Sequence, residues 1–156
     1  MSPNEFLRRL AKGEREFSGL TMHHVNLSGA DLIGIILNGS NLHSSNLIFA
    51  YLNRASLIKI NLEDADLSGA NLSQSDFTLA RMNYADLSRS NLTEANLTET
   101  ELTEAFLVKA DLTMSNLTQA NLLRADMTSV TLSGIIFRET SMPDGQIRNL
   151  YEDLGF

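Results

Sequence analysis

Large apolar side chains recur at every fifth position through most of this chain. Steps of five from Phe17 to Met142 meet 26 residues, all of them Leu, Met or Phe. Two positions before each one from Met22 onward lies a small or aliphatic residue, most often Ala, and the other three positions are mainly polar. A period of five matches neither the 3.6 residues per turn of an α-helix nor the two-residue alternation of a flat strand. The pattern predicts a chain that changes direction by the same angle in every unit.

The unit itself predicts a short strand followed by a turn. The small residue, the polar residue and the bulky residue alternate inward, outward and inward, as in a strand. The last two positions are rich in Ser, Thr and Gly, which turns tolerate. Four units with turns near a right angle would close a circuit of 20 residues. Repetition this strict predicts a solenoid in which each coil contacts only its neighbours, with a shaft on the order of 30 Å long at about 4.8 Å per coil.

The two ends of a solenoid expose its core, so each end is predicted to carry a cap. We expect a single domain over residues 1–156, with an N-terminal helical cap at 1–16, a β-helix at 17–142 and a C-terminal helical cap at 143–156. The segment Ser2-Pro3-Asn4-Glu5 has the pattern of a capping box with Pro at the first helical position, which predicts a helix over 3–12.

The predicted C-terminal helix rests on apolar spacing. After Pro143-Asp144-Gly145 breaks the register, apolar residues follow at i, i+3, i+4 and i+7, the spacing of one helical face, at Ile147, Leu150, Tyr151 and Leu154. We expect this helix to cover the last coil. It could also pair two chains.

The repeated unit reads Ala, then Asp or Asn, then Leu, then two variable residues, as in ADLSGANLSQSDF at residues 65–77. This unit resembles the signature of the pentapeptide repeat family, and the flanking stretches AKGEREFSG and SMPDGQI resemble its cyanobacterial members. The resemblance implies an all-β solenoid, a right-handed quadrilateral β-helix of pentapeptide repeats with short N- and C-terminal capping helices. The best understood members of the family resemble DNA in shape and charge and protect DNA gyrase from quinolone drugs.

Composition and charge narrow the classes of function. The net charge of −7 argues against direct binding to nucleic acid or to an anionic membrane, because both need a basic surface. The chain has no Cys, and no apolar run has the length of a signal peptide or a membrane span. We therefore expect a cytoplasmic protein, unless a leader sequence was removed from the chain.

No set of residues in the chain suggests catalysis. There is no nucleophile–base set, phosphate-binding loop or HExxH motif, so we expect neither an enzyme nor a cofactor. The first functional hypothesis is a non-enzymatic structural or protein-interaction module, a rigid scaffold for a protein partner that the sequence does not name, acting as a monomer or homodimer. The alternative is a DNA-mimic regulator of a DNA-handling enzyme such as gyrase.

An acidic stretch bears on the alternative hypothesis. The segment TEANLTETELTEA carries four glutamates, at Glu94, Glu99, Glu101 and Glu104. Wrapped on a coil of 20 residues, they spread over successive sides. Arg81 is expected to lie under Glu101, and Arg124 over Glu104, so the acidic charge is expected to be diluted.

A histidine ladder appears once residues 20 apart are stacked. His23, His43 and Glu63 form one such column, and two histidines with a carboxylate are a possible Zn²⁺ ligand set. The alternative is three surface histidines that fall near one edge. We predict no metal site, and the ladder is the candidate should one exist.

The polar pattern breaks in NLIFAYLNRA, where bulky residues stand at outward positions. Ile48, Phe49 and Tyr51 replace the Ser, Gly and Asn found one coil before or after, and Ile33 could extend the patch. One interpretation is that the rings fold over neighbouring glycines for local packing. The other is a partner-binding patch, because adjacent aromatic residues are enriched in binding sites. We name Ile33, Ile48, Phe49 and Tyr51 as the candidate partner-binding residues.

Overall fold

The chain forms a regular coil of 20 residues per circuit in this computed structural model, which describes residues 1–151. Parallel bridges join residues 20 apart, from Glu16 with Ile36 at the first coil to Asn121 with Ser141 at the last. A turn follows every fifth residue, so each circuit contains four turns. The predicted 20-residue coil is confirmed.

The interior is a stack of aliphatic side chains. The bulky residue of each unit is almost fully buried, except at Met127 and Leu132 near the C-terminal end, which are partly buried, and most of the small residues two positions before it are buried as well. Leu72, Leu92 and Leu112 form one such column, and each has no exposed surface. The N–H of Leu92 donates to the carbonyl oxygen of Asp111 at 2.8 Å, and the same bond recurs along the ladder. Backbone hydrogen bonds therefore hold the spacing between coils that the aliphatic stack fills.

The frequent Asn or Asp in each unit has a local structural reason. Its side-chain oxygen accepts a hydrogen bond from the N–H two residues later, as Asp66 does from Ser68 at 2.9 Å. Where another residue stands there, an Asn in the previous coil can replace the bond. The N–H of Thr103 donates to Oδ1 of Asn83 at 2.9 Å, because Glu101 occupies the usual position.

The N-terminal end is closed by helix α1, Pro3–Leu10. Ser2 caps it by accepting the N–H of Glu5 at 3.2 Å, as the sequence predicts, although the helix ends two residues before the predicted boundary. Phe6 is fully buried, with its ring centroid 4.7 Å from that of Phe17 in the first coil. No helix within residues 1–151 is long and apolar enough to cross a membrane.

The C-terminal end is closed by a β-hairpin, so the predicted helix over 143–156 is wrong where the structure describes it. Strand β1, Ile136–Ser141, pairs antiparallel with strand β2, Ile147–Tyr151. The connection turns at Gly145, whose φ of +81° suits glycine. Residues 152–156, which include Leu154 of the helical pattern, lie outside the described residues.

The hairpin forms because β1 belongs to the last coil. Its residues already pair with the coil before, through the bridges from Asn116 to Ile136 and from Asn121 to Ser141. Within residues 1–151, no further coil pairs with its outer edge. An antiparallel strand satisfies those backbone groups, whereas a helix would leave them open. The apolar spacing of Ile147 to Tyr151 carries no information about this unpaired edge.

Candidate partner-binding surface

Each unit turns through a tight bend whose third residue has a positive φ. From Gly19 to Glu139, every fifth residue has a φ between 51° and 70°. The turn is closed by a hydrogen bond across it, such as that from the N–H of Ala30 to the carbonyl of Leu27 at 3.0 Å, which is the type II arrangement. This conformation costs most L-residues about 1–2 kcal/mol, so the turn itself gives no reason for a large side chain. The side chains at these corners therefore form the part of the surface that is free to carry function.

The corner residues stack into columns along the shaft. One column, which we call the Phe49 edge, contains one residue from each of six successive coils: Gly29, Phe49, Gly69, Arg89, Lys109 and Ser129.

The predicted patch lies at this edge and on the side that follows it. Phe49 is 66% exposed, Tyr51 is 51% exposed and Ile33 is 44% exposed. Ile48 is half-buried, with its N–H held by Oδ1 of Asn46 at 3.0 Å. Three of the four predicted residues are therefore exposed, and Ile48 is only partly exposed.

The ring of Phe49 lies over Gly69 in the next coil. A Cβ atom at Gly69 would stand 2.3 Å from Cε1 of the ring, whereas a Cβ at Gly29, in the previous coil, would meet nothing within 4 Å. The ring thus uses the space that one glycine leaves, as the packing interpretation expects, yet the Phe49 residue as a whole remains largely exposed. Local packing and an accessible aromatic surface coexist at this position.

A groove of about 410 Å³ runs along the same edge, with Phe49 at its beginning. Its other lining residues are Gly69, Arg89 and Lys109 of the Phe49 edge and the residue that precedes each of them, Ser68, Ser88 and Val108. We call this surface the edge groove. It spans four coils, or about 14 Å from the first to the last at the usual strand spacing.

The histidine ladder does not form a metal-binding arrangement. The ring centroid of His43 lies 6.4 Å from that of His23, but both oxygens of Glu63 are 2.8 Å from a guanidinium nitrogen of Arg81. Within residues 1–151, no group of three His, Cys, Asp or Glu side chains is placed to hold a metal ion. The candidate set His23, His43 and Glu63 therefore gains no support.

The repeats match a known family of protein sequences. The sequence model of the family described as Pentapeptide repeats matches in 8 copies, over residues 22–57, 45–83, 55–93, 80–119 and 107–142. These matches cover well over half of the chain. The chain belongs to the pentapeptide repeat family. No curated protein sequence matches it.

Solved pentapeptide repeat structures share the fold. The protein Rfr23 from the cyanobacterium Cyanothece 51142 has a TM-score of 0.54 at 24% identity, with 90% of this chain and 96% of that one covered. Full-length QnrB1, a plasmid-mediated fluoroquinolone resistance protein, has a TM-score of 0.52 at 13% identity, with 81% of this chain and 74% of that one covered. At these identities the likeness shows the fold alone.

The acidic stretch of this pentapeptide repeat protein is spread and partly paired. Glu94, Glu99, Glu101 and Glu104 each fall in a different column of the coil. Nη1 of Arg124 lies 3.3 Å from Oε1 of Glu104, as the sequence predicts. Arg81 is bridged to Glu101 through the backbone, but its side chain pairs with Glu63. The four glutamates therefore do not form one continuous acidic face.

Sequence reasoning did not identify the cationic half of the edge groove. Arg89 and Lys109 are 20 residues apart, so the period alone stacks them, and this signal was present in the sequence. Val108 carries a subtler signal. Phe106 stands two positions before Val108, where the pentapeptide repeat usually has Asn or Asp. The N–H of Val108 therefore lacks the side-chain acceptor that most units provide.

Proposed function

We propose that this pentapeptide repeat protein is a non-enzymatic scaffold, a rigid right-handed shaft that binds a protein partner through one edge. The observation that carries the proposal is the exposure of Phe49 and Tyr51 at positions where the repeat normally places small or polar residues. Aromatic side chains are over-represented in binding sites because they bury a large area with few rotatable bonds. The continuous backbone ladder supports a scaffold role, since it presents these side chains on a surface that does not need to be ordered on binding.

The test is to restore the usual repeat at the patch. The double substitution Phe49→Ser with Tyr51→Asn should leave the fold intact and weaken association. We expect sedimentation velocity to show loss of any homodimer, or affinity capture from a lysate of the source organism to lose a specific protein. Tyr84→Asn is the matched control, because Tyr84 is also 51% exposed but lies on another edge. An unchanged mass distribution together with an unchanged set of captured proteins would refute the proposal.

A second candidate function is regulation of a DNA-handling enzyme such as gyrase by DNA mimicry. It is favoured by the fold likeness to QnrB1, a fluoroquinolone resistance protein. The charge distribution speaks against it, because mimicry of a duplex calls for about one negative charge per 1.7 Å of axis and the acidic side chains here are dispersed. A gyrase supercoiling assay with and without ciprofloxacin decides the matter. Neither inhibition nor protection at micromolar protein would remove this candidate.

A further inference from the structure

Two cations are stacked in the edge groove without acidic partners. Arg89 and Lys109 occupy the same turn position in successive coils, about 4.8 Å apart along the shaft, and both are exposed. Within residues 1–151, neither side chain has an ion pair or a hydrogen bond. The two like charges repel each other, and solvent at the exposed corner weakens this repulsion.

Cations at two other corner columns have a polar or acidic neighbour one coil away. Nε of Arg54 donates to Oε1 of Gln74 at 3.0 Å, and Arg124 pairs with Glu104. Among the corner residues of 1–151, Arg89 and Lys109 are the two cations that stack directly on each other. A local conflict of this kind, in an otherwise consistent repeat, is typical of a functional site.

A backbone donor adds to the positive character of the groove. Among its lining residues, the N–H of Ser68 and the N–H of Ser88 donate to Asp66 and Asp86 at 2.9 Å and 2.8 Å. The equivalent N–H of Val108 has no acceptor among residues 1–151, because Phe106 replaces the Asx residue. An N–H beside two cations can donate a hydrogen bond to an anionic oxygen that the cations attract.

We infer that the edge groove binds an acidic, extended peptide segment of a partner protein, with a carboxylate at Arg89, Lys109 and the N–H of Val108, and an apolar side chain against Phe49. This inference rests on the proposed scaffold function and specifies the chemistry of the partner. A length of about 14 Å accommodates about four residues of extended chain at 3.4 Å each. Binding removes the repulsion between the two cations, which gives the segment an energetic reason to dock here.

Charge complementarity favours a peptide over a nucleic acid. The chain carries a net charge of −7, and the groove offers two cations with acidic residues in the neighbouring columns. A nucleic acid presents a dense row of phosphates that calls for a longer basic surface. A peptide with one or two carboxylates and an apolar residue matches both halves of the groove.

The experiment selects peptides from a phage-displayed library of random 12-residue sequences on the immobilised full chain. We expect enrichment of peptides that combine Asp or Glu with an aromatic or large aliphatic residue. The enriched peptide, labelled with fluorescein, is then titrated by anisotropy against the wild type, Lys109→Glu and Lys59→Glu. Lys59 is a matched control, because it is an exposed lysine at the same turn position, with φ 57° against 60°, on another edge.

Lys109→Glu should weaken binding at least about tenfold and Lys59→Glu no more than about twofold, and added salt should weaken binding to the wild type. Gly69→Ala should also weaken it by displacing the ring of Phe49, whereas Gly29→Ala, at the same turn position with open space, should not. Failure to enrich acidic peptides, or equal affinity for Lys59→Glu and Lys109→Glu, would overturn the inference. So would equally tight binding of a 12-nucleotide single-stranded DNA, which would assign the groove to nucleic acid.

The two proposals fail separately. If a partner captured from the lysate depends on Phe49 and Tyr51 but not on Lys109, the scaffold function stands and the acidic-peptide inference is wrong. If selected acidic peptides depend on Lys109 while the Phe49→Ser, Tyr51→Asn chain keeps the mass distribution and the captured proteins of the wild type, the groove chemistry stands and the assignment of partner binding to Phe49 and Tyr51 is wrong.

Discussion

Replacing Leu92 with alanine removes one member of the interior leucine stack and tests the register of the solenoid. Leu92 has no exposed surface and lies between Leu72 and Leu112, which are equally buried. Leu→Ala substitutions in cores cost about 2–5 kcal/mol, and the cost is highest where the surroundings cannot collapse into the cavity. Backbone hydrogen bonds of 2.8 Å, from the N–H of Leu72 to Asn91 and from the N–H of Leu92 to Asp111, fix the spacing between coils here. Because the coils cannot close on the cavity, we expect Leu92→Ala to lower the free energy of unfolding by about 3–5 kcal/mol.

The assay is urea unfolding followed by circular dichroism. With an m-value of about 2 kcal/mol/M, the expected loss lowers the midpoint by about 1.5–2.5 M. Leu79→Ala is the matched control, because Leu79 stands at a turn, is 39% exposed and has a φ of 59° that is equally unfavourable for Leu and Ala. This control should stay within about 0.5 kcal/mol of the wild type. Equal shifts of the midpoint for the two variants would refute the assigned register.

Two further predictions concern buried hydroxyls and acid stability. Ser115 Oγ is buried without a hydrogen-bond partner within residues 1–151, so Ser115→Ala should leave the free energy of unfolding in urea unchanged or raise it. Ser90→Ala loses a 2.7 Å hydrogen bond to a backbone carbonyl and should lower that free energy by about 1 kcal/mol. The reverse order of stability would contradict this prediction. Hydrogen bonds from the hydroxyl and then the N–H of Thr128 lower the pKa of Asp126 below its ordinary value of 3.8, so its stabilising contribution is present above that pH and is lost as the pH falls through the lowered pKa. Thr128→Val should raise the pKa of Asp126 in an NMR titration, and an unchanged pKa would contradict the assignment.

The coil could be predicted from the sequence because its determinants are local and repeated. Each unit carries its own inward Leu, its own small residue and its own turn, and each coil contacts only the coils beside it. A period of five and a circuit of 20 residues therefore follow without knowledge of any distant contact. The exposed patch at Phe49 and Tyr51 was predictable for the same reason, since the period alone shows which neighbours are small.

The edge groove could be predicted from the sequence only in part. Its cations follow from the 20-residue period, which places Lys109 over Arg89. Whether they are paired depends on which long side chains reach one another, and the free N–H of Val108 depends on which acceptors the folded coil supplies. The histidine ladder could not be judged from the period for the same reason. The side chain of Arg81 pairs with Glu63, although Glu101 is its neighbour in the same column.

The sequence by itself determined the repeated body of this protein, and the tertiary structure decided its ends and its side-chain pairings. The apolar spacing at Ile147 to Tyr151 is compatible with a helix when read locally. The segment is a strand because β1, Ile136–Ser141, is the last rung of the ladder and leaves an edge that only another strand can pair. Local patterns encode which face of a segment is apolar, whereas the folded chain decides which backbone and charged groups are still unpaired when that segment arrives.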